Sequence, residues 1–158
     1  MSMRAVVVVA SNRAAAGVYD DETGPLLVEF LTQLGFSCER PSVVPDGAPV
    51  AAAISAAVEG GSHVVLTTGG TGLTPTDLTP DVTRPLLDRE APGIAEAIRA
   101  YGVAKGVPTA ALSRGVAGVS GDCLVINLPG SRGGVKDAMA VLEPILLHAV
   151  EQVVGSDH

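Results

Sequence analysis

The chain has 158 residues, 17% of them charged, and a formal net charge of −7. That length suits one domain with a substantial core over residues 1–158. The acidic balance argues against nucleic acid or an anionic membrane as a partner through bulk electrostatics, and no apolar segment approaches the roughly 20 residues of a membrane span.

Residues 4–10 (RAVVVVA) form a continuous, largely β-branched run, as expected of a strand covered on both faces. The run is too short for a signal sequence, and the expected location is the cytoplasm. A polar loop over residues 11–22 follows. Leu27, Phe30, Leu31 and Leu34 then recur at helical spacing, with Gly35 placed to cap the helix end. Residues 36–44 read as a second strand, Pro45-Asp46-Gly47 as a turn, residues 51–59 as an alanine-rich helix with Pro49 near its start, and residues 62–68 as a third strand. The order β-α-β-α-β implies a parallel sheet with helices on its faces.

Thr79-Pro80-Asp81 reads as an N-cap, a proline at the first helical position and a first-turn acid, predicting a helix to about residue 88. Pro92-Gly93 opens another, with Ile94, Ala97, Ile98 and Tyr101 spaced i, i+3, i+4, i+7. Residues 110–112 and 124–128 are short apolar runs that read as two further strands, one of them antiparallel at the sheet edge. A last helical pattern runs from Gly134 and is expected to break at Pro144. Residues 156–158 read as a frayed end. Cys38 and Cys123 have no CxxC or Cys/His neighbour at metal-ligand spacing and read as reduced, largely buried thiols. His63, His148 and His158 are isolated and read as structural or solvated.

The most informative stretch lies between residues 67 and 81. The strand ending Val64-Val65-Leu66-Thr67-Thr68 opens into Gly69-Gly70-Thr71-Gly72, and Asp77 and Asp81 follow. It is not a Walker A motif, having no Gly-Lys-[Ser/Thr] ending. It fails the GxGxxG dinucleotide pattern because position 75 is proline, which disfavours a nicotinamide-dependent oxidoreductase. Two readings stand: a structural turn that needs positive φ, or a cradle whose backbone N–H groups hold an anion. The segment has no lysine, so an anion held there needs positive charge from elsewhere. Asp46 and Asp77 would supply it by holding Mg²⁺ against phosphate oxygens; alternatively Asp46 is a turn residue and Asp77 caps the turn before Thr79. A second loop, Asn127-Leu128-Pro129-Gly130-Ser131-Arg132-Gly133-Gly134, leaves a strand and enters a helix, and is either a plain connection or a second anion site. Ligands of parallel sheets bind beyond the carboxyl ends of the strands, which would gather Ser11, Arg13, Asp20, Asp46, Thr71, Asp77, Asn127, Ser131 and Arg132 on one rim.

Taken together, Ser11-Asn12-Arg13 through Gly17-Val18-Tyr19-Asp20, Val44-Pro45-Asp46, Thr68-Gly69-Gly70-Thr71-Gly72, Asp77, Thr79-Pro80, Asp88-Arg89-Glu90-Ala91-Pro92-Gly93, Leu112-Ser113-Arg114 and Asn127-Leu128-Pro129-Gly130 form an ordered set. The set resembles the Mog/MoaB molybdopterin-binding family, which includes the gephyrin G domain. The resemblance implies a three-layer α/β/α fold with a mostly parallel sheet and an antiparallel edge element, usually in a homotrimer. It implies adenylylation of molybdopterin with MgATP and release of pyrophosphate, followed by hand-over to a molybdate-inserting protein. The alternative is a MoaB-like carrier or scaffold that binds molybdopterin without using ATP. Asp77-Leu78-Thr79-Pro80-Asp81 resembles the Asp-x-Thr-Pro-[Glu/Asp] form of the Mog-type enzymes. By resemblance, Asp46 and Asp77 are catalytic and hold Mg²⁺; Gly69, Gly70, Thr71 and Gly72 bind the nucleotide or pterin phosphate; Ser113, Arg114, Asn127, Gly130 and Ser131 line the pterin side; and Ser11, Thr68 and Pro129 complete the binding set. Asn12 stands where the family commonly has Asp and is given no role.

Overall fold

The computed structural model describes residues 2–17 and 20–155. Val18 and Tyr19 of the first loop and the end residues 156–158, with His158, lie outside the described residues. Strand β1 (Arg4–Ala10) sits between two short strands on one side, β2 (Ser37–Cys38) and β3 (Ser42–Val44), and β4 (Val64–Thr68) on the other, all parallel. Strand β7 (Cys123–Leu128) extends the parallel set from β4; β6 (Ala117–Ser120) and β5 (Arg89–Glu90) add an antiparallel edge beyond it. The mixed sheet is flanked by helices on both faces, which is the three-layer arrangement implied by the resemblance.

The strands' alternation explains the two layers. Val7, Val9, Leu66, Ile126 and Leu128 share one face with α2 (Thr23–Gln33), α5 (Pro92–Ala104), α6 (Arg132–Leu142) and α7 (Leu146–Val153). Val8, Val65 and Val125 face the other way, onto Val50 and Ile54 of α3 (Ala48–Glu59) and Val82 of α4 (Thr79–Thr83). Burial on both faces of β1, β4 and β7 is what requires their unbroken apolar runs. Gly35, at φ +100°, ends α2 as expected. The last helical pattern breaks around Pro144, between α6 and α7.

Four expectations from sequence are corrected. Residues 36–44 do not form one strand: β2 and β3 are separated by Glu39-Arg40-Pro41, and proline has no N–H to give to a ladder. The helix at residue 79 is only α4, followed by a 3-10 turn over Arg84–Leu86, because Pro85 both lacks the donor and crowds the preceding turn. Residues 110–112 are not a strand but part of a 3-10 helix, Pro108–Leu112. The antiparallel strand is β6, five residues further on, and its partner β5, Arg89–Glu90, falls between the helix expected to about residue 88 and the one opened by Pro92-Gly93.

One polar network sits in the core. The Asn127 side chain is 3% exposed. Its Nδ2 donates to Thr67 Oγ1 at 2.9 Å and to Thr83 Oγ1 at 3.2 Å, while Oδ1 accepts the Val116 N–H at 3.1 Å. Thr83 Oγ1 in turn donates to the Thr79 carbonyl at 2.7 Å. Strands β4 and β7 are thereby fastened to α4, with every buried side-chain polar atom among the described residues partnered. Elsewhere, His63 Nδ1 accepts the Arg4 N–H at 2.9 Å, a structural role. Among the described residues no helix is long and apolar enough to cross a membrane.

Leu142 is fully buried between α6 and the sheet, so Leu142→Ala is expected to lower stability by about 2–5 kcal/mol in urea unfolding. Asn127→Leu keeps the shape but strands the Val116 N–H and removes the donor to the Thr67 and Thr83 hydroxyls, at an expected cost of about 1–3 kcal/mol by the same measurement. Burial pushes the Cys123 thiol up to about 12, leaving almost no thiolate at pH 8. A thiol-specific reagent at that pH is therefore expected to spare Cys123 in the folded protein and to titrate both free cysteines in denaturant.

Candidate active site at the carboxyl edge of the sheet

The glycine loop leaves β4 beside the loop that leaves β7, because the two strands are parallel neighbours in register. Two hydrogen bonds join the loops directly: Thr68 Oγ1 donates to the Pro129 carbonyl at 2.7 Å, and the Gly69 N–H donates to the Leu128 carbonyl at 3.1 Å. Gly69 and Gly70 both take the left-handed conformation, at φ +93° and +70°. A Cβ on Gly69 would lie 2.5 Å from the Ala10 carbonyl oxygen, and one on Gly70 would overlap Asp46 Oδ2 and Thr79 Oγ1. The loop is thus a turn that needs positive φ at Gly69 and Gly70 and whose glycines let Ala10, Asp46 and Thr79 pack against it.

Asp46, at the turn after β3, reaches across to the exit of the glycine loop. Its Oδ2 accepts the Leu78 N–H at 3.0 Å, and its Oδ1 accepts the Thr79 hydroxyl at 2.8 Å and its neighbour Gly47 N–H at 2.7 Å. Thr79 is therefore the first residue of α4, not its N-cap, and its hydroxyl is committed to Asp46. Asn12 Oδ1 accepts the Asp46 N–H at 3.0 Å, tying the first loop to the same point. Asp77 is held differently. Its Oδ2 takes both the N–H at 3.0 Å and the hydroxyl at 2.7 Å of Thr74, three residues earlier, which closes the loop on itself.

Arg114 grips the loop from the other side. Its Nε donates to the Gly72 carbonyl at 2.9 Å and its Nη2 to the Asp77 carbonyl at 2.6 Å, and both terminal nitrogens lie 3.1 Å from the two oxygens of Asp81. The Arg114 N–H also donates to the Thr71 carbonyl at 2.8 Å. The hydrogen bond from Arg114 holds Asp81 below the usual carboxylate range; Asp81 in turn raises Arg114, with weaker contributions from the charges of Asp77 and Asp46. Arg114 thus sits within electrostatic reach of both carboxylates that flank the glycines.

Two clefts open on this edge. The larger, about 670 Å³, is floored by Ala10, Thr68 and Gly69, and walled by Ser11, the acidic run Asp20-Asp21-Glu22, Gly130, Ser131 and Arg132. The smaller, about 380 Å³, is lined by Thr71, Gly72, Asp77, Leu112, Ser113 and Pro129. Gly70, Gly130 and Ser131 belong to both, so the clefts meet over a ridge of backbone. Ser131 caps α6 by accepting the Gly134 N–H at 3.0 Å, and Ser11 likewise accepts the Ala14 N–H at 3.2 Å. The ridge therefore ends at a helix N-terminus, where an anion is favoured.

Most of the residues expected from sequence do converge here: Ser11, Thr68, Gly69, Gly70, Thr71, Gly72, Asp77, Ser113, Pro129, Gly130 and Ser131 line one cleft or the other. Asp46 lies beneath the ridge against Gly70, and Arg114 behind the loop, rather than in either wall. Asn127 is turned into the core, its amide engaged by Thr67, Thr83 and Val116. Arg13 is exposed on the short helix α1 (Asn12–Ala15) and lines neither cleft. Asp81 is the first-turn acid of α4 expected from sequence and is also Arg114's partner, which no local signal reveals across 33 residues. Among the described residues no three of His, Cys, Asp and Glu gather as a metal cluster.

The family model described as a probable molybdopterin binding domain matches residues 6–148. The "molybdopterin adenylyltransferase" of Haemophilus influenzae is 41% identical over 138 residues, covering 84% of this chain and 69% of that protein. The "molybdenum cofactor biosynthesis bifunctional protein" of Chlorobaculum tepidum is 38% identical over 98% of this chain, which spans only 50% of that longer protein. Among solved structures, the molybdopterin biosynthesis Mog protein from Mycobacterium ulcerans superposes with a TM-score of 0.93 at 47% identity, covering 99% of each chain. With that family model matched over nearly its whole length, this chain belongs to the probable molybdopterin binding domain family.

Proposed function

We propose that this protein transfers the adenylyl group of ATP to the phosphate of molybdopterin and releases pyrophosphate. The observation that carries the reading is the pair of clefts that meet over Gly70, Gly130 and Ser131. Each substrate takes one cleft, and their phosphates meet at the ridge. A phosphate oxygen of molybdopterin attacks the α-phosphorus of ATP; the bond from that phosphorus to the bridging oxygen of the β-phosphate breaks, and pyrophosphate leaves. Such a reaction asks the protein for alignment and charge neutralisation rather than covalent participation. The names borne by relatives such as the Haemophilus influenzae protein support the same chemistry.

The chain's own groups divide the work. Backbone N–H groups near the start of α6, the Ser131 hydroxyl and Arg132 bind phosphate oxygens at the ridge. Ser113 and Thr71 orient the substrate in the smaller cleft, and the Leu112 side chain, 51% exposed at its wall, offers apolar contact for a ring. Asp46 and Asp77 would hold Mg²⁺. The donors suit a hard cation: of the four lone-pair positions on each carboxylate, Asp46 uses three and Asp77 uses two, both on one oxygen. Bound there with substrate phosphates, the ion would neutralise charge that developing oxyanions place near a loop lacking lysine. The acting species is taken to be a cytoplasmic homotrimer that passes its product to a molybdate-inserting protein.

Incubation of the purified protein with molybdopterin, ATP and Mg²⁺ is expected to release pyrophosphate, measured by a coupled assay. Asp77→Asn is expected to lower kcat by about 10²-fold or more while circular dichroism and the urea midpoint stay near wild type. Full activity of that variant would remove Asp77 from the mechanism. Tight binding of molybdopterin by the wild-type protein with no pyrophosphate released would assign it as a carrier instead.

A further inference from the structure

Residues 73–76, between the glycines and Asp77, are exposed, and Leu73 is 64% accessible. Packing therefore does not fix this segment. Its ends are fixed instead by Arg114, whose Nε and Nη2 hold the carbonyls of Gly72 and Asp77. Arg114 is itself held by two groups that line neither cleft, one at its guanidinium and one at its backbone. Asp81, from the first turn of α4, engages both terminal nitrogens. Arg99, from α5, donates through Nη1 to the carbonyls of Ser113 at 3.2 Å and Gly115 at 3.0 Å, pinning the backbone on either side of Arg114.

We propose that Asp81 is a positioning residue: through Arg114 it sets the placement of the Gly72–Asp77 segment, and hence of the Asp77 carboxylate in the smaller cleft. The inference rests on the adenylyl-transfer reading for its kinetic consequence but not for its structural one. A planar guanidinium has five N–H donors in fixed directions. With two of its nitrogens committed to loop carbonyls, a two-oxygen partner on the outer side determines the plane in which the fork lies. Asparagine at position 81 has one oxygen to offer and no charge; glutamate keeps both oxygens and the charge on a longer stem. The ion pair is largely solvated, with side-chain exposures of 35% and 51%, so its removal is not expected to unfold the protein. Its effect is local geometry, which a transfer reaction senses steeply.

The experiment compares the full-length wild type with Asp81→Asn and Asp81→Glu by amide hydrogen exchange and by pyrophosphate-release kinetics. In Asp81→Asn, exchange in residues 72–77 is expected to rise about tenfold while the strands β1, β4 and β7 keep their protection. The kcat is expected to fall about tenfold, with little change in KM for either substrate, because the lost alignment matters at the transfer step. Asp81→Glu is expected to restore most of both. Wild-type exchange across residues 72–77 in Asp81→Asn overturns the proposal whatever reaction the protein performs. So does faster exchange with unchanged kcat, since the segment would then move without consequence for transfer. Absence of turnover in the wild-type protein overturns the adenylyl-transfer reading instead, and the exchange measurement then decides the placement of the loop alone.

Discussion

A loop with three glycines in four residues has little conformational preference of its own, so its shape comes from what grips it. Here two charged side chains do so from opposite sides. Asp46 takes the Leu78 N–H and the Thr79 hydroxyl at the loop's exit. Arg114 takes the Gly72 and Asp77 carbonyls in its middle. Both contacts span more than thirty residues of sequence, and both are made by groups at the ends of other strands or turns. Parallel pairing of β3 with β1 brings the end of β3 to the edge where β4 ends, and antiparallel pairing with β7 brings the start of β6 there, so the loop is shaped at that edge. The buried Asn127 network serves the same end from below, because it fixes α4, which carries Thr79 and Asp81.

The reliance on long-range polar contacts explains what could be read in the chain and what could not. Strands β1, β4 and β7 are continuous apolar runs because both faces are covered, and such runs are visible without any knowledge of partners. The helix break at Pro144 and the cap at Gly35 were equally legible, since each follows from the geometry of one residue. The edge of the sheet was not. Strand β6 reads Ala-Gly-Val-Ser, and its Gly118 is needed because a Cβ there would press on the Arg89 carbonyl of β5. That requirement exists only once the two strands are paired. The apolar run at residues 110–112 looked more like a strand than the true one, because a 3-10 turn of alanine and leucine has no period to betray it.

Within the site the same division holds. The two glycine-bearing loops announce themselves by composition, Asp77 by its proximity to one of them, and Asp46 by its place in the turn after a neighbouring strand. The roles of Asn12, Asp81 and Arg99 depend on pairing across tens of residues and have no local signature. Asn127 shows the converse. Its place in an Asn-Leu-Pro-Gly loop suggested a residue facing ligand, yet strand alternation carries Asn127 to the inner side, where its amide serves the fold. A residue beside a binding loop supports that loop about as readily as it touches what the loop binds.

The ridge shared by the two clefts is made of Gly70, Gly130 and the start of a helix, and it is backbone almost throughout. Exchanges among the side chains of the outer walls therefore leave its outline in place. The outer walls, by contrast, are built from side chains on separate loops: Asp20, Asp21 and Glu22 in one cleft, Thr109, Leu112 and Ser113 in the other. Such a layout separates two kinds of inheritance. Descendants of one ancestor can diverge in what they admit to either side, while the meeting point between the two chambers stays where it was.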